Sequence, residues 1–162
     1  MKREDRLLVK YCRLSLEDEA DGESNSIRNQ RKLIEDYVEE REDLRELGSL
    51  ELSDDGYTGT NFNRPGIKRF LDLLKKNQVA CLVVKDFSRF TRDYIELGNY
   101  AEQIFPFMDV RFISVNDRYD SSFQSSHDGL EIPFKGILND LYSKDISTKV
   151  KAAKRQMIKN GK

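Results

Sequence analysis

The run VACLVV, residues 79–84, contains six consecutive apolar side chains and lies between two segments of helical periodicity. A strand with no polar face has to be covered on both sides, so it belongs inside a sheet rather than at its rim. Leu7 to Cys12 reads the same way, and LGSLEL and VRFISV supply two further strands. Between them the apolar positions repeat at helical spacing. Ile27, Leu33/Ile34 and Tyr37/Val38 follow a serine N-cap at Ser24 or Ser26. Ile67, Phe70, Leu71 and Leu74 follow Pro65, and DYIELGNYAEQIF ends near Pro106. Strands and helices therefore alternate. The expected fold is α/β: a mostly parallel sheet of four to five strands, helices on both faces and right-handed crossovers. A last helical pattern runs through Leu130, Phe134, Ile137, Leu138, Leu141, Ile146 and Val150, with Pro133 fitting only near its start. That pattern is longer than one domain needs. The division expected is 1–127 for the α/β domain and 128–162 for a long helix.

At 162 residues the chain can bury about 70% of the surface its unfolded form exposes. No stretch approaches the ~20 apolar residues of a membrane span, and MKREDRLLVKY lacks a signal-peptide cleavage site. Cys12 and Cys81 both fall in strand-like runs and read as buried free thiols, too few for a cysteine-rich zinc site. A cytoplasmic location fits, with no metal and no cofactor. The net charge of −1 conceals an asymmetry. LEDEADGE holds five acids, whereas residues 144–162 hold seven bases and one acid. The basic end is the part of the chain suited to nucleic acid.

Ligands of parallel sheets bind beyond the C-terminal strand ends. Four arginines are expected there: Arg13 in YCRLS, Arg64 in the loop DDGYTGTNFNRPG, and Arg89 and Arg92 in KDFSRFTRD, which share a face at i, i+3 spacing. Ser15 lies among them. Guanidinium groups fork to two phosphate oxygens, and clustered like charges call for an anion. Phosphoryl transfer is catalysed largely by placement and charge stabilisation, so a serine there needs no Ser-His-Asp triad. The only histidine, His127, sits in a polar loop and reads as a bystander.

These motifs, in this order, resemble the catalytic domain of the serine recombinases, the resolvase/invertase family. YCRLS resembles its Tyr-x-Arg-x-Ser nucleophile motif and SIRNQ its Ser-x-x-x-Gln helix start. DGYTGTNFNRPG resembles its Asp-x-x-x-Gly…Arg-Pro-Gly loop and KDFSRFTRD its Arg-x-x-Arg segment. The likeness covers Leu7 to about Lys154, and the wording of LEDEADGESNS and of the 55–66 loop is closer to the large serine recombinases of mobile elements. The resemblance implies that Ser15 attacks a DNA phosphodiester and forms a 5′-phosphoserine link. It implies that Arg13, Arg89 and Arg92 hold the phosphate and that Arg64 binds it or the departing oxygen. Gln30 and Asp55 would position these groups, and Lys85 would be a further phosphate contact. Ser88 stands where many small resolvases carry an aspartate, so the proton acceptor is left open among water, Asp86 and none.

The resemblance further implies double-stranded DNA as partner, a dimer in solution and a tetramer on paired sites, with no membrane. Lys149, Lys151, Lys154 and Arg155 on the last helix would touch the DNA backbone. With no helix-turn-helix pattern and no zinc-ribbon cysteines, the chain reads as a catalytic fragment of a longer protein. Three other readings stand beside this one. A non-catalytic dimerisation or regulatory module could share the fold. A flavodoxin-like ligand binder would want a glycine-rich phosphate loop, and a serine hydrolase a Gly-x-Ser-x-Gly elbow. The sequence contains neither.

Overall fold

The computed structural model describes residues 2, 5–14, 26–123 and 134–161, the side chains of 134–141 excepted. The chain forms two compact units, Met1–His127 and Asp128–Lys162.

The first unit is a five-stranded sheet in the order β2-β1-β3-β4-β5. Strands β1 (Leu7–Leu14), β2 (Ser49–Asp55), β3 (Val79–Val84) and β4 (Arg111–Ser114) are parallel. The two-residue β5 (Tyr119–Asp120) returns antiparallel to β4 and makes the fifth strand. All six side chains of β3 are buried, as its unbroken apolar run requires. Chain order reverses between β1 and β3, so the crevice at their C-terminal ends is the natural place for a site.

Helix α1 (Ile27–Glu39) begins at Ser26, whose hydroxyl accepts from Asn29 N. It buries Gln30, Ile34 and Val38 along one stripe, and a short α2 (Glu42–Arg45) adds Leu44. Together they cover one face of the sheet against Leu8, Cys12, Cys81, Val83 and Ile113. Both cysteines are buried free thiols, and burial pushes Cys12 up to about 12.

Helix α3 (Pro65–Lys75) has proline in its first turn and buries Ile67, Phe70, Leu73 and Leu74. Leu73, rather than the expected Leu71, lies inside this stripe; Leu71 is half-buried at its edge. Beyond a single turn, α4 (Phe87–Phe90), helix α5 (Tyr94–Asn99) passes through a π turn (Tyr100–Ile104) into the last turn α6 (Phe105–Phe107). Pro106 has no N–H to donate and its ring crowds the preceding turn, and the wider π turn lies immediately upstream of it.

Phe90 is the hub of an aromatic cluster beside the sheet. Its ring centroid lies 5.2 Å from those of Phe62 and Tyr100, 5.7 Å from those of Phe105 and Phe112, and 6.1 Å from that of Phe70. Phe105 is fully buried, while Phe107 is 88% exposed.

The second unit is dominated by α7 (Phe134–Lys159). Leu130 and the side chains at 134–141 fall outside the described residues. Beyond them Tyr142, Ile146 and Val150 follow one another at i, i+4, i+8 and are each about half exposed. No described helix is long and apolar enough to cross a membrane.

Arg111 ties the far edge of the sheet together. It forks onto Asp120 (Nε–Oδ1 2.9 Å, Nη2–Oδ2 2.6 Å) and also donates to Asp43 of α2. Burial alone would push the Asp120 carboxyl upward. The hydrogen bonds from Arg111 and Ser122 outweigh it and hold the group below the usual carboxylate range. A depressed folded-state value adds stability above the unfolded value, about 3.9. That stability is lost as pH falls from there through the folded value. Asp120→Asn should therefore lower the urea midpoint at neutral pH and flatten its decline below about pH 4.

Candidate active site

Three segments meet at the C-terminal end of β1: the strand end itself, the loop between β2 and α3, and residues 85–92 after β3. Strand β1 runs two residues beyond the expected Cys12 because β2 pairs with it as far as Leu14, and this ladder sets Arg13 opposite Asp54. Arg13 is fully buried. Its peptide is gripped on both sides by the buried Gln30 amide, which accepts from Arg13 N (3.1 Å) and donates to Arg13 O (2.8 Å). Arg89 Nη1 donates to the same carbonyl at 3.0 Å. The Arg13 guanidinium reaches across to Tyr57 O (3.0 Å) and Ser88 O (2.9 Å).

Arg64, 1% exposed, precedes α3 and donates to Arg89 O (3.3 Å) and Phe90 O (2.6 Å). Its charge lies over the rings of Tyr11 (5.6 Å) and Phe62 (5.8 Å). Burial lowers the Arg64 pKa, with Tyr11 and Asp54 opposing. Burial also pushes Tyr11 well above its ordinary value, so its phenol is a standing donor; it donates to Asp54 Oδ2 at 2.7 Å. Arg92 is half-buried, and its backbone N donates to Gly59 O at 2.8 Å.

Arg13, Arg64, Arg89, Gln30 and Ser88 thus come together as the sequence suggested. Ser15 and His127 lie outside the described residues. Ser88 contributes its carbonyl to Arg13, and its hydroxyl donates to Asp86, which also accepts from Arg89 Nε at 3.4 Å. Lys85 is half-buried at the end of β3, with its carbonyl taken by Asn116 N. Asp55 does not enter the cluster. Its side chain is exposed at the end of β2, and it is the neighbouring Asp54, 2% exposed, that turns inward. The alternation Leu50, Leu52, Asp54 was the available signal, since strand residues two apart share a face. Asp117 was also missed; it accepts from Phe87 N at 2.8 Å and braces α4 from the turn after β4. No spacing in the sequence ties residues 87 and 117. On α7, Lys149 pairs with Asp145 (2.8 Å), and Lys151, Lys154 and Arg155 are exposed. Among the described residues no cluster of acidic, histidine or cysteine side chains could hold a metal.

Buried arginines are thus gathered at the C-terminal end of β1 in a mostly parallel α/β sheet. The chain belongs to the resolvase N-terminal domain family, whose model matches residues 8–162; it is a serine recombinase catalytic domain. The N-terminal catalytic domain of TP901-1 integrase is similar in fold (TM-score 0.61, 18% identity, covering 89% of this chain and 97% of that one). So is a resolvase family site-specific recombinase from Streptococcus pneumoniae (0.57, 19%, 96% and 98%). A serine recombinase from Sulfolobus solfataricus is more distant in shape (0.51, 21%, 93% and 87%). No curated protein matches the sequence.

At Gly59 the side chains of two arginines crowd the position a Cβ would take. A Cβ there would lie 2.9 Å from Arg13 Nη2 and 2.9 Å from Arg92 Cγ. Because Arg13 is held at both ends, it has little room to yield. Gly59→Ala should cost about 1–3 kcal/mol of stability, read as a fall in urea midpoint.

Proposed function

We propose that this chain cuts and rejoins DNA at specific sites through Ser15. The observation that carries the reading is the double grip of Gln30 and Arg89 on the Arg13 peptide, two residues before Ser15. It ties the backbone leading to the nucleophile to the same segment that bears Arg89 and Arg92. In the first step the Ser15 oxygen attacks phosphorus in line and the bond from phosphorus to the 3′-oxygen breaks. The serine gives up its proton and the departing 3′-oxygen gains one. The product is a 5′-phosphoserine ester and a free 3′-hydroxyl. In the second step a 3′-hydroxyl attacks that phosphorus and Ser15 leaves. The ester bond is conserved throughout, so no nucleotide cofactor enters. Arg13, Arg89 and Arg92 stabilise the negative charge on the phosphorus oxygens, the largest demand such a transition state makes. The working unit is an oligomer on double-stranded DNA, a dimer that becomes a tetramer on paired sites. The wording of the loop 55–66 favours the large recombinases of mobile elements.

Quenching a reaction on DNA that carries the element's ends, digesting it, and finding nucleotide phosphate on Ser15 by mass spectrometry tests the reading. Ser15→Ala should abolish the adduct, and Arg89→Ala should slow its formation by about 10²–10³-fold. A wild-type protein that binds and pairs the DNA yet leaves no adduct would instead be a regulatory module.

Lys149, Lys151, Lys154 and Arg155 meet the DNA backbone. Lys151→Ala and Lys154→Ala should each weaken binding evenly across sequences and reduce the slope of log K against log salt by about 1, measured by fluorescence anisotropy.

A further inference from the structure

Among the described residues, Asp54 is the one buried carboxylate beside the arginine cluster that the mechanism leaves without a task. Its two oxygens accept three hydrogen bonds: from Gly66 N (2.7 Å), Ile67 N (3.1 Å) and the Tyr11 hydroxyl (2.7 Å). The first two are N–H groups of the opening turn of α3, which have no partner within the helix. Arg64 stands at the N-cap of that helix, and its own side chain makes no capping bond. The cap is therefore supplied from β2, and it leaves the Arg64 side chain directed at Arg89 O and Phe90 O instead. Tyr11 joins the two groups, its hydroxyl on Asp54 and its ring face under the Arg64 cation. The approach is too close for any side chain at position 66, where a Cβ would lie 2.8 Å from Asp54 Oδ2.

We propose that Asp54 is a positioning residue for strand cleavage: by capping α3 from the end of β2 it sets where Arg64 reaches, and Arg64 in turn sets the backbone that carries Arg89. This deepens the recombinase reading and rests on it. All three of its hydrogen bonds come from groups of the protein itself, so its contribution is placement rather than proton transfer. An anion at this point also offsets the cost of burying the Arg64 cation and complements the N-terminal end of the α3 dipole.

The test is a double-mutant cycle on single-turnover formation of the Ser15–DNA adduct. Asp54→Asn keeps the shape but replaces one acceptor oxygen by a donor. It should slow cleavage about 100-fold, the effect of an ångström-scale misplacement, while DNA pairing and the circular dichroism spectrum persist. Arg64→Ala should also slow it. Combined, the two should be no slower than Arg64→Ala alone, because Asp54 acts through Arg64. Losses that multiply would overturn the proposal. If Asp54→Asn does not fold, Tyr11→Phe takes its place; it removes one donor and should give a smaller loss that vanishes in the Arg64→Ala background.

A second measurement needs no DNA. Exchange of the Arg64 guanidinium protons with water, followed by NMR on arginine-labelled protein, should speed up at least tenfold in Asp54→Asn, or in Tyr11→Phe if that variant is used. Unchanged exchange would overturn the proposal. Wild-type protein that forms no adduct would remove the recombinase reading, and the exchange result would then decide the Asp54–Arg64 coupling by itself.

Discussion

The arrangement of this domain depends on burying the Arg13 guanidinium at the end of a central strand. A charge taken from water must be paired or fully hydrogen-bonded, or the fold does not tolerate it. Here the guanidinium donates to two carbonyls, Tyr57 O on one side and Ser88 O on the other. Tyr57 O belongs to the loop after β2 and Ser88 O to α4, the helical turn after β3. The two Nη groups of one arginine therefore draw the loop after β2 and the turn after β3 to the same strand end. Arg64 repeats the arrangement one layer out, bonding to Arg89 O and Phe90 O. These guanidinium groups hold the site's backbone together.

Such a site needs firm ground beneath it, and α4 supplies it. Within four residues α4 presents Arg89 to the site and Phe90 to the aromatic cluster. Phe87 N is held by Asp117 from the opposite loop. A shift of this turn would have to unpack rings and break hydrogen bonds at once. Interiors packed at this density respond to displacement in discrete steps rather than by gradual yielding.

The chain is similar in fold to these three structures at TM-scores of 0.51–0.61 although only 18–21% of its residues are identical to theirs. This is expected where hydrophobic pattern and volume suffice for architecture. The polar cluster obeys a stricter requirement, because each donor must find an acceptor at a fixed distance and direction.

Much of this could be read from the chain alone. The alternation of apolar periods 2 and 3.6 determined the α/β class, the parallel strands and the serine and proline starts of α1 and α3, because those patterns reflect local backbone geometry and one-sided burial. Motif order placed Arg13, Gln30, Arg64 and Arg89 near one another. What the tertiary structure alone decided is which neighbour faces inward and what it touches. Asp54 rather than Asp55 is buried because pairing to β1 extends β2 three residues past LGSLEL, to Asp55, and strand parity then turns 54 toward α3. Leu73 rather than Leu71 is buried because the stripe of α3 is set by the sheet it meets. Asp117 reaches Phe87 because β4 returns beside β3. Each of these depends on contacts between residues far apart in sequence, and a period in the chain carries no information about its partner.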